Sequence, residues 1–221
     1  MTDYYKQSLE HLRIVLLENQ YDFWANWLSE DIENWEKTKS TEHHLRAYGG
    51  MGSFNDVVIG NQDSAGLWQG QVFGMLQSLA YGLASGEVLE DILARNNTTS
   101  TQISGWRCQD CGAARINSID IERFLCVSVL PQIFANYLKN NRLIELLNTN
   151  KLISSEDISN RKTAIERLFG QSNIEITSEN NWLWTCPKCG SEKVCSYRWE
   201  ILNNETKIIE SDDNLEIKGQ K

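Results

Sequence analysis

Two short motifs constrain this chain more than any other feature: Cys108-Gln-Asp-Cys111-Gly112 and Cys186-Pro-Lys-Cys189-Gly190. Cysteines three apart in a tight turn aim both thiolates at one ion, and the glycine that follows relieves the backbone. Two such turns complete a tetrahedral shell of four thiolates, the donor set that suits zinc. A shell filled by cysteine alone is closed, so one structural Zn2+ on Cys108, Cys111, Cys186 and Cys189 is expected. A redox pair and independent reduced thiols are the competing readings, but the βαβ pattern around a thioredoxin-like motif is missing. Cys195 reads as a strand residue facing the local core. Cys126, within "FLCVSVL", reads as a buried helix residue, because free cysteine behaves as a small hydrophobe.

Seventy-four residues lie between Cys111 and Cys186, against the roughly 15–20 usual for paired motifs of this kind. The flanks "GWRC" and "WLWTC" are strand-like, as turns at hairpin tips require, and this part resembles a zinc ribbon split by a helical insertion. The expected fold is therefore mainly α with a small β zinc ribbon (α+β). An acidic helical domain spans 1–96, and the polar stretch "NNTTSTQISG" marks the boundary. The ribbon occupies 105–117 and 172–202, with the helical insertion at 118–170 and a polar tail at 203–221. Within the insertion Pro131 is expected to open a helix at its first position, and Gly170 to stop one. "NIEITSE", "NWLWTC" and "KVCSYRWEI" read as strands.

In the front half, Tyr5, Leu9, Leu12 and Leu16 recur at helical spacing, as do Trp24, Leu28, Ile32 and Trp35. A third, short helix runs from His43 to Tyr48. Residues 64–86 carry no charge and are long enough to span a bilayer. Gln69, Gln71 and Gln77 interrupt them, however, so a buried soluble helix is expected. Its glycines Gly66, Gly70 and Gly74 recur every four residues, which suits close approach of another helix backbone. That approach is read as core packing, with a self-association face as the alternative. No membrane partner is expected. Nor does a secretory leader open the chain, so the expected location is cytoplasmic, where six cysteines suggest metal or thiols.

Charge is uneven. Residues 1–100 hold 14 acids and 6 bases (−8), whereas residues 101–221 hold 16 acids and 15 bases (−1). The front half is thus expected to meet a basic protein partner rather than nucleic acid. Glu30, Asp31, Glu33 and Glu36 crowd one helix with no base among them, and are the expected partner-binding residues.

Catalytic motifs are missing from the sequence: there is no phosphate-binding lysine loop, no dinucleotide fingerprint and no nucleophile elbow. His43 and His44 are adjacent, point about 100° apart on a helix, and read as a solvated pair. In "LRAYGGMGSFNDVVI" Ser53 and Asp56 have capping-box spacing, so the glycine turn reads as structural. The segment from Leu9 to Leu83, with "HLRAYGGMGSFNDVVI" at its centre, resembles an uncharacterised family of small helical bacterial proteins with an AYGGMGSFND-type signature. The resemblance implies no activity; its members look like accessory proteins of bacterial conflict systems.

Together these features favour a non-enzymatic, partner-binding protein of the immunity or antitoxin-like kind. The alternative is a nucleic-acid-binding or adaptor role for the ribbon, through Arg107, Arg115, Lys188, Lys193 and Arg198 interleaved with Trp106, Trp182, Trp184 and Trp199. Those tryptophans also read as the small core of the ribbon.

Overall fold

The spacing of Tyr5, Leu9, Leu12 and Leu16 produces helix α1 (Tyr4–Glu18), and all four side chains are buried. Asp3 caps it, one carboxylate oxygen accepting the Lys6 amide at 3.0 Å. The other oxygen accepts the indole N–H of Trp35 at 2.7 Å, near the end of α2 (Asp22–Thr38). One carboxylate thus starts the first helix and fixes the last turn of the second. Helix α2 stops where Lys39 turns left-handed, at φ 58°. A short α3 (Glu42–Leu45), a 3-10 turn (Phe54–Asp56), α4 (Ser64–Ala84) and α5 (Leu89–Asn96) follow. This is a computed structural model, and it describes residues 3–60, 64–96, 102–147, 155–171, 173–178, 185–202 and 205–211.

Two compact units result, each assembled from two stretches of chain: Met1–Thr98 with Ser128–Leu152, and Thr99–Val127 with Ile153–Lys221. The division departs from the expected single insertion at 118–170. Phe134, Leu138, Leu143 and Leu146 are almost fully buried, and a stretch this apolar needs a helical core to enter. In the first unit α7 (Leu143–Leu147) packs against α1 and α4. The Gln7 amide donates to Asn141 Oδ1 at 2.6 Å, and the Trp68 indole to the Leu146 carbonyl at 2.9 Å. Pro131 does not open a helix as expected; it lies inside α6 (Ser118–Lys139). Proline there removes one backbone donor, and burial of Leu130 and Phe134 beside it offsets the loss. Nor does Gly170 stop α8 (Ser155–Gln171), which runs through it; the left-handed residue beyond its end is Asn173, at φ 57°.

The second unit is built on a five-stranded sheet of order β3-β2-β1-β4-β5. Strand β1 (Gln102–Cys108) pairs antiparallel with β2 (Ala114–Asn117) on one side and with β4 (Val194–Leu202) on the other. Strand β3 (Ile174–Thr177) runs parallel to β2, as the helical excursion between them allows. The expected polar tail at 203–221 is corrected in part, because Glu205–Ser211 forms edge strand β5 against β4. "TKIIES" offers the β-branched pair that such an edge needs, and its charges disguise it. Ile121 and Leu125 of α6 and Phe169 of α8 close over Ile103, Ile116, Ile174, Tyr197 and Trp199 of the sheet. Trp199 is therefore core, as is Cys195. The expected strand at "NWLWTC" and the side chain of Cys126 lie outside what is described.

Mainly α with a small β part is thus the observed class. Among the described residues no helix is long and apolar enough to cross a membrane.

The glycine stripe of α4 behaves differently from expectation. A Cβ on Gly70 would meet the Ile59 carbonyl oxygen at 2.6 Å, and one on Gly60 would meet that of Gly66. At Gly70 the partner is thus the Ile59–Gly60 backbone just before α4; further along the same stripe a Cβ on Gly82 would meet the Ile92 side chain of α5 at 2.6 Å. Gly74 faces open space, with nothing within 4 Å of a built Cβ. Gly70→Ala should therefore lower stability by about 1–3 kcal/mol through overpacking, whereas Gly74→Ala should raise it by up to about 1 kcal/mol from helix propensity. Thermal melts of the two variants check both signs.

Candidate metal centre

The two knuckles meet because β1 and β4 are neighbours, with Cys108 in register with Val194. Cys108 ends β1 and Cys186 precedes β4, so antiparallel pairing brings both turns to one end of the sheet. Each turn closes in the same way. The Gly112 amide donates to the Cys108 carbonyl at 3.0 Å, and Gly190 to that of Cys186 at 2.8 Å. Both glycines are left-handed, at φ 70° and 74°, where a Cβ would be strained. The knuckles are also tied to each other. Asp110 accepts from the Ser191 hydroxyl at 2.8 Å and from the Lys193 ammonium at 3.3 Å.

The four sulfurs of Cys108, Cys111, Cys186 and Cys189 lie within 4.8 Å of one another. Cys108–Cys189 and Cys111–Cys186 are each separated by 3.6 Å, and all four are free thiols. A tetrahedral ion with metal–sulfur bonds of about 2.3 Å sets its ligands about 3.8 Å apart, so the cluster could hold a metal ion. Cys108 and Cys186 are buried, and Cys111 and Cys189 face outward. Burial raises the Cys108 thiol, but the Cys111 amide, the Cys189 thiol and the Asp110 amide outweigh it and bring its pKa down to about 7. For Cys189 the Ser191 amide acts downward, yet hydrogen bonding to Cys111, burial and the other thiols push it up to about 12. A cation bound here would displace the protons that these crowded thiols carry. Cys195, as expected, stands apart in the sheet core.

The basic residues around the knuckles are largely occupied. Arg107 lies 5.6 Å from the Tyr197 ring, Arg115 reaches Glu175 at 3.2 Å, and Lys193 holds Asp110. Trp106 packs against the sulfur cluster, while Trp182 and Trp184 fall outside the described residues.

A second constellation went unread in the sequence. Asp31 was expected on the surface, but its side chain is fully buried. Its carboxylate accepts from His43 Nδ1 at 2.5 Å and from His44 Nδ1 at 2.8 Å. The reading of the histidines as a solvated pair is corrected with it: His44 is 1% exposed, and the Tyr48 hydroxyl meets its Nε2 at 3.1 Å. His43 stacks on Trp27 and turns Nε2 toward Glu30 at 3.3 Å. The 100° between neighbours on a helix lets two adjacent imidazoles grip the two oxygens of one carboxylate. Burying a carboxylate is costly unless donors hold it, and the two imidazoles supply them. Burial, with Tyr5, Asp31 and Tyr81 nearby, holds the Tyr48 phenol well above the ordinary range. The other expected partner-binding acids are exposed and salt-bridged: Glu33 to Lys37 at 3.1 Å and Glu36 to Lys6 at 2.6 Å. Bases outside the acidic run do what interspersed lysines would have done.

The glycine turn is settled in the same way. Asp56 accepts the amides of Gly52 at 2.6 Å and Ser53 at 3.2 Å within a capping box, so its own carboxylate fills the amide cradle.

Cys186→Ser should sharply lower metal content by elemental analysis of the purified chain, and Cys195→Ser should leave it unchanged. Asp31→Asn sets an amide donor against an imidazole donor and should cost about 1–3 kcal/mol of stability. A chemical-denaturation midpoint equal to that of the wild type would place Asp31 outside the fold's support.

Comparison with known proteins touches only the first of these units. Residues 18–65, under a quarter of the chain, match a family model described as a domain of unknown function (DUF6966). The match lies inside the segment carrying "AYGGMGSFND". It takes in α2, α3 and the glycine turn, hence Asp31, His43, His44 and Tyr48, and none of the four metal-site cysteines. No curated protein and no solved structure matches the chain.

Proposed function

We propose that this is a non-enzymatic, cytoplasmic partner-binding protein of the immunity or antitoxin-like kind, carrying one structural zinc ion. The observation that carries the reading is the closure of the sulfur cluster. Four cysteines converge on one point, and an ion held by four thiolates has no position left for a substrate. Zinc fits because it takes thiolates, prefers four ligands in a tetrahedron and is not itself redox-active. The acidic balance of residues 1–100 supports a basic partner for the helical unit, since complementary charge speeds encounter and rejects wrong partners. The bacterial conflict setting rests on the resemblance of the "AYGGMGSFND" segment alone.

A nucleic-acid role for the sheet unit is the second reading. It is weakened by the engagement of Arg107, Arg115 and Lys193 within the unit and by the burial of Trp199.

Protein purified without chelator should carry one zinc per chain, and chelation should lower its melting temperature. A metal-free chain with an unchanged melt would remove the zinc. For the partner, affinity capture from the source cells with the full-length chain, identified by mass spectrometry, should return a basic protein whose toxicity the chain suppresses on co-expression. Association should weaken with salt. Recovery of nucleic acid in place of protein would favour the second reading.

A further inference from the structure

Around the sulfur cluster, three side chains that are not ligands fasten one knuckle to the other. The Asp110 carboxylate accepts from the Ser191 hydroxyl at 2.8 Å and from the Lys193 ammonium at 3.3 Å. Ser191 Oγ is held in turn, because it accepts the Lys193 amide at 3.0 Å. Both Asp110 and Ser191 border an outward-facing sulfur: Asp110 comes just before Cys111, and Ser191 follows Cys189 and Gly190.

The backbones of these two residues also face sulfur. Cys108 Sγ accepts from the amides of Cys111 and Asp110, and Cys189 Sγ from the amide of Ser191. Cys108 and Cys189 approach each other across the knuckles, at 3.6 Å. The Asp110–Ser191 bond therefore joins the two residues whose N–H groups lie on that pair. Hydrogen bonds to an ionised acceptor are the strong ones, and groups that orient metal ligands tune the hold on the metal. Strand pairing carries the knuckles only part of the way: β1 and β4 are in register as far as Cys108 and Val194, and the Gln109 amide donates to the Lys193 carbonyl at 3.0 Å. Beyond that bond the first turn meets the second through Asp110. Charge acts in the other direction, since four thiolates outweigh a divalent cation and repel a further carboxylate. Asp110 is half-exposed and paired with Lys193, which leaves its hydrogen bond to Ser191 as the contribution of favourable sign.

We propose that Asp110 is a positioning residue for the metal: by holding Ser191 it keeps the amides of both residues on Cys108 and Cys189, and it slows the departure of a bound ion. This rests on the zinc reading above and adds to it the residue that ties the two halves of the ligand set.

The rate at which zinc-loaded, full-length protein gives up its metal to an excess of a chromogenic chelator tests it. Asp110→Ala should release zinc about three- to tenfold faster than the wild type, the share of one hydrogen bond. Asp110→Asn keeps an oxygen for the Ser191 hydroxyl without the charge, and should release zinc at nearly the wild-type rate. Ser191→Ala should match Asp110→Ala, and the double variant should be no faster than either. Cobalt(II) in place of zinc gives a readout that a merely structural loss would not move: its ligand-field bands should shift in Asp110→Ala and return in Asp110→Asn. The β1–β4 ladder does not use these side chains, so the variants should melt near the wild type. If Asp110→Ala does not, Ser191→Ala against Ser191→Thr, which keeps the hydroxyl, makes the same comparison. Equal release rates and equal spectra in all variants overturn the positioning role while the zinc reading stands. Alanine and asparagine variants of Asp110 that differ from the wild type alike, in either direction, show charge in control and overturn it too. Single effects that add in the double variant overturn the pairing of Asp110 with Ser191. A wild type that takes up neither zinc nor cobalt overturns the zinc reading, and this inference with it.

Discussion

A carboxylate with no access to water must find donors for its oxygens, and Asp31 organises much of the helical unit through that requirement. Its two partners sit side by side at the start of α3, so the chain after α2 has to return along α2 for the imidazoles to reach it. The return brings Tyr48 onto His44, and Phe54 among His44, Tyr48, Trp24 and Phe73. The glycine turn between Tyr48 and Phe54 is the backbone's means of making that return. The turn, which reads from the sequence as structural, is the bend that delivers Phe54, under 1% exposed, to the core.

The same requirement explains what could be read from sequence and what could not. Periodicity exposed α1, α2 and α4, because apolar spacing is a local property, and the paired cysteines exposed a site whose members lie far apart in the chain. Asp31 was hidden because aspartate on a helix is ordinarily solvated, and only the fold puts two histidines within reach of it. Lys6 and Lys37 stand outside the run Glu30–Glu36, so the pairing of Glu36 and Glu33 was invisible to a count within that run. Strand β5 was missed because an edge strand is protected by the charges that make it look like a tail. The glycine stripe was visible, but not what lay against Gly70: Ile59 and Gly60 are near neighbours in sequence, whereas the expectation looked for a distant helix.

The two units use polar chemistry in opposite ways. In the sheet unit the donors converge inward on one point, the sulfurs, and the basic residues nearby turn to Glu175, Asp110 and the Tyr197 ring. In the helical unit the buried carboxylate is answered from within by two imidazoles, and the surface acids Glu33 and Glu36 are answered by Lys37 and Lys6.

The distance between the knuckles carries a lesson about chain entropy. Closing a flexible loop costs free energy that grows only with the logarithm of its length, about 0.6 kcal/mol for each doubling. The 74 residues between Cys111 and Cys186 exceed the usual spacing by roughly two doublings, hence about 1.2 kcal/mol, less than one buried leucine contributes. A thiolate cluster therefore hardly registers how much chain it encloses. Loop length between such turns is close to a neutral variable, and whole helices can be inserted or removed there while the metal geometry is kept. Spacing rules drawn from compact examples describe how often short loops occur, not what four sulfurs require.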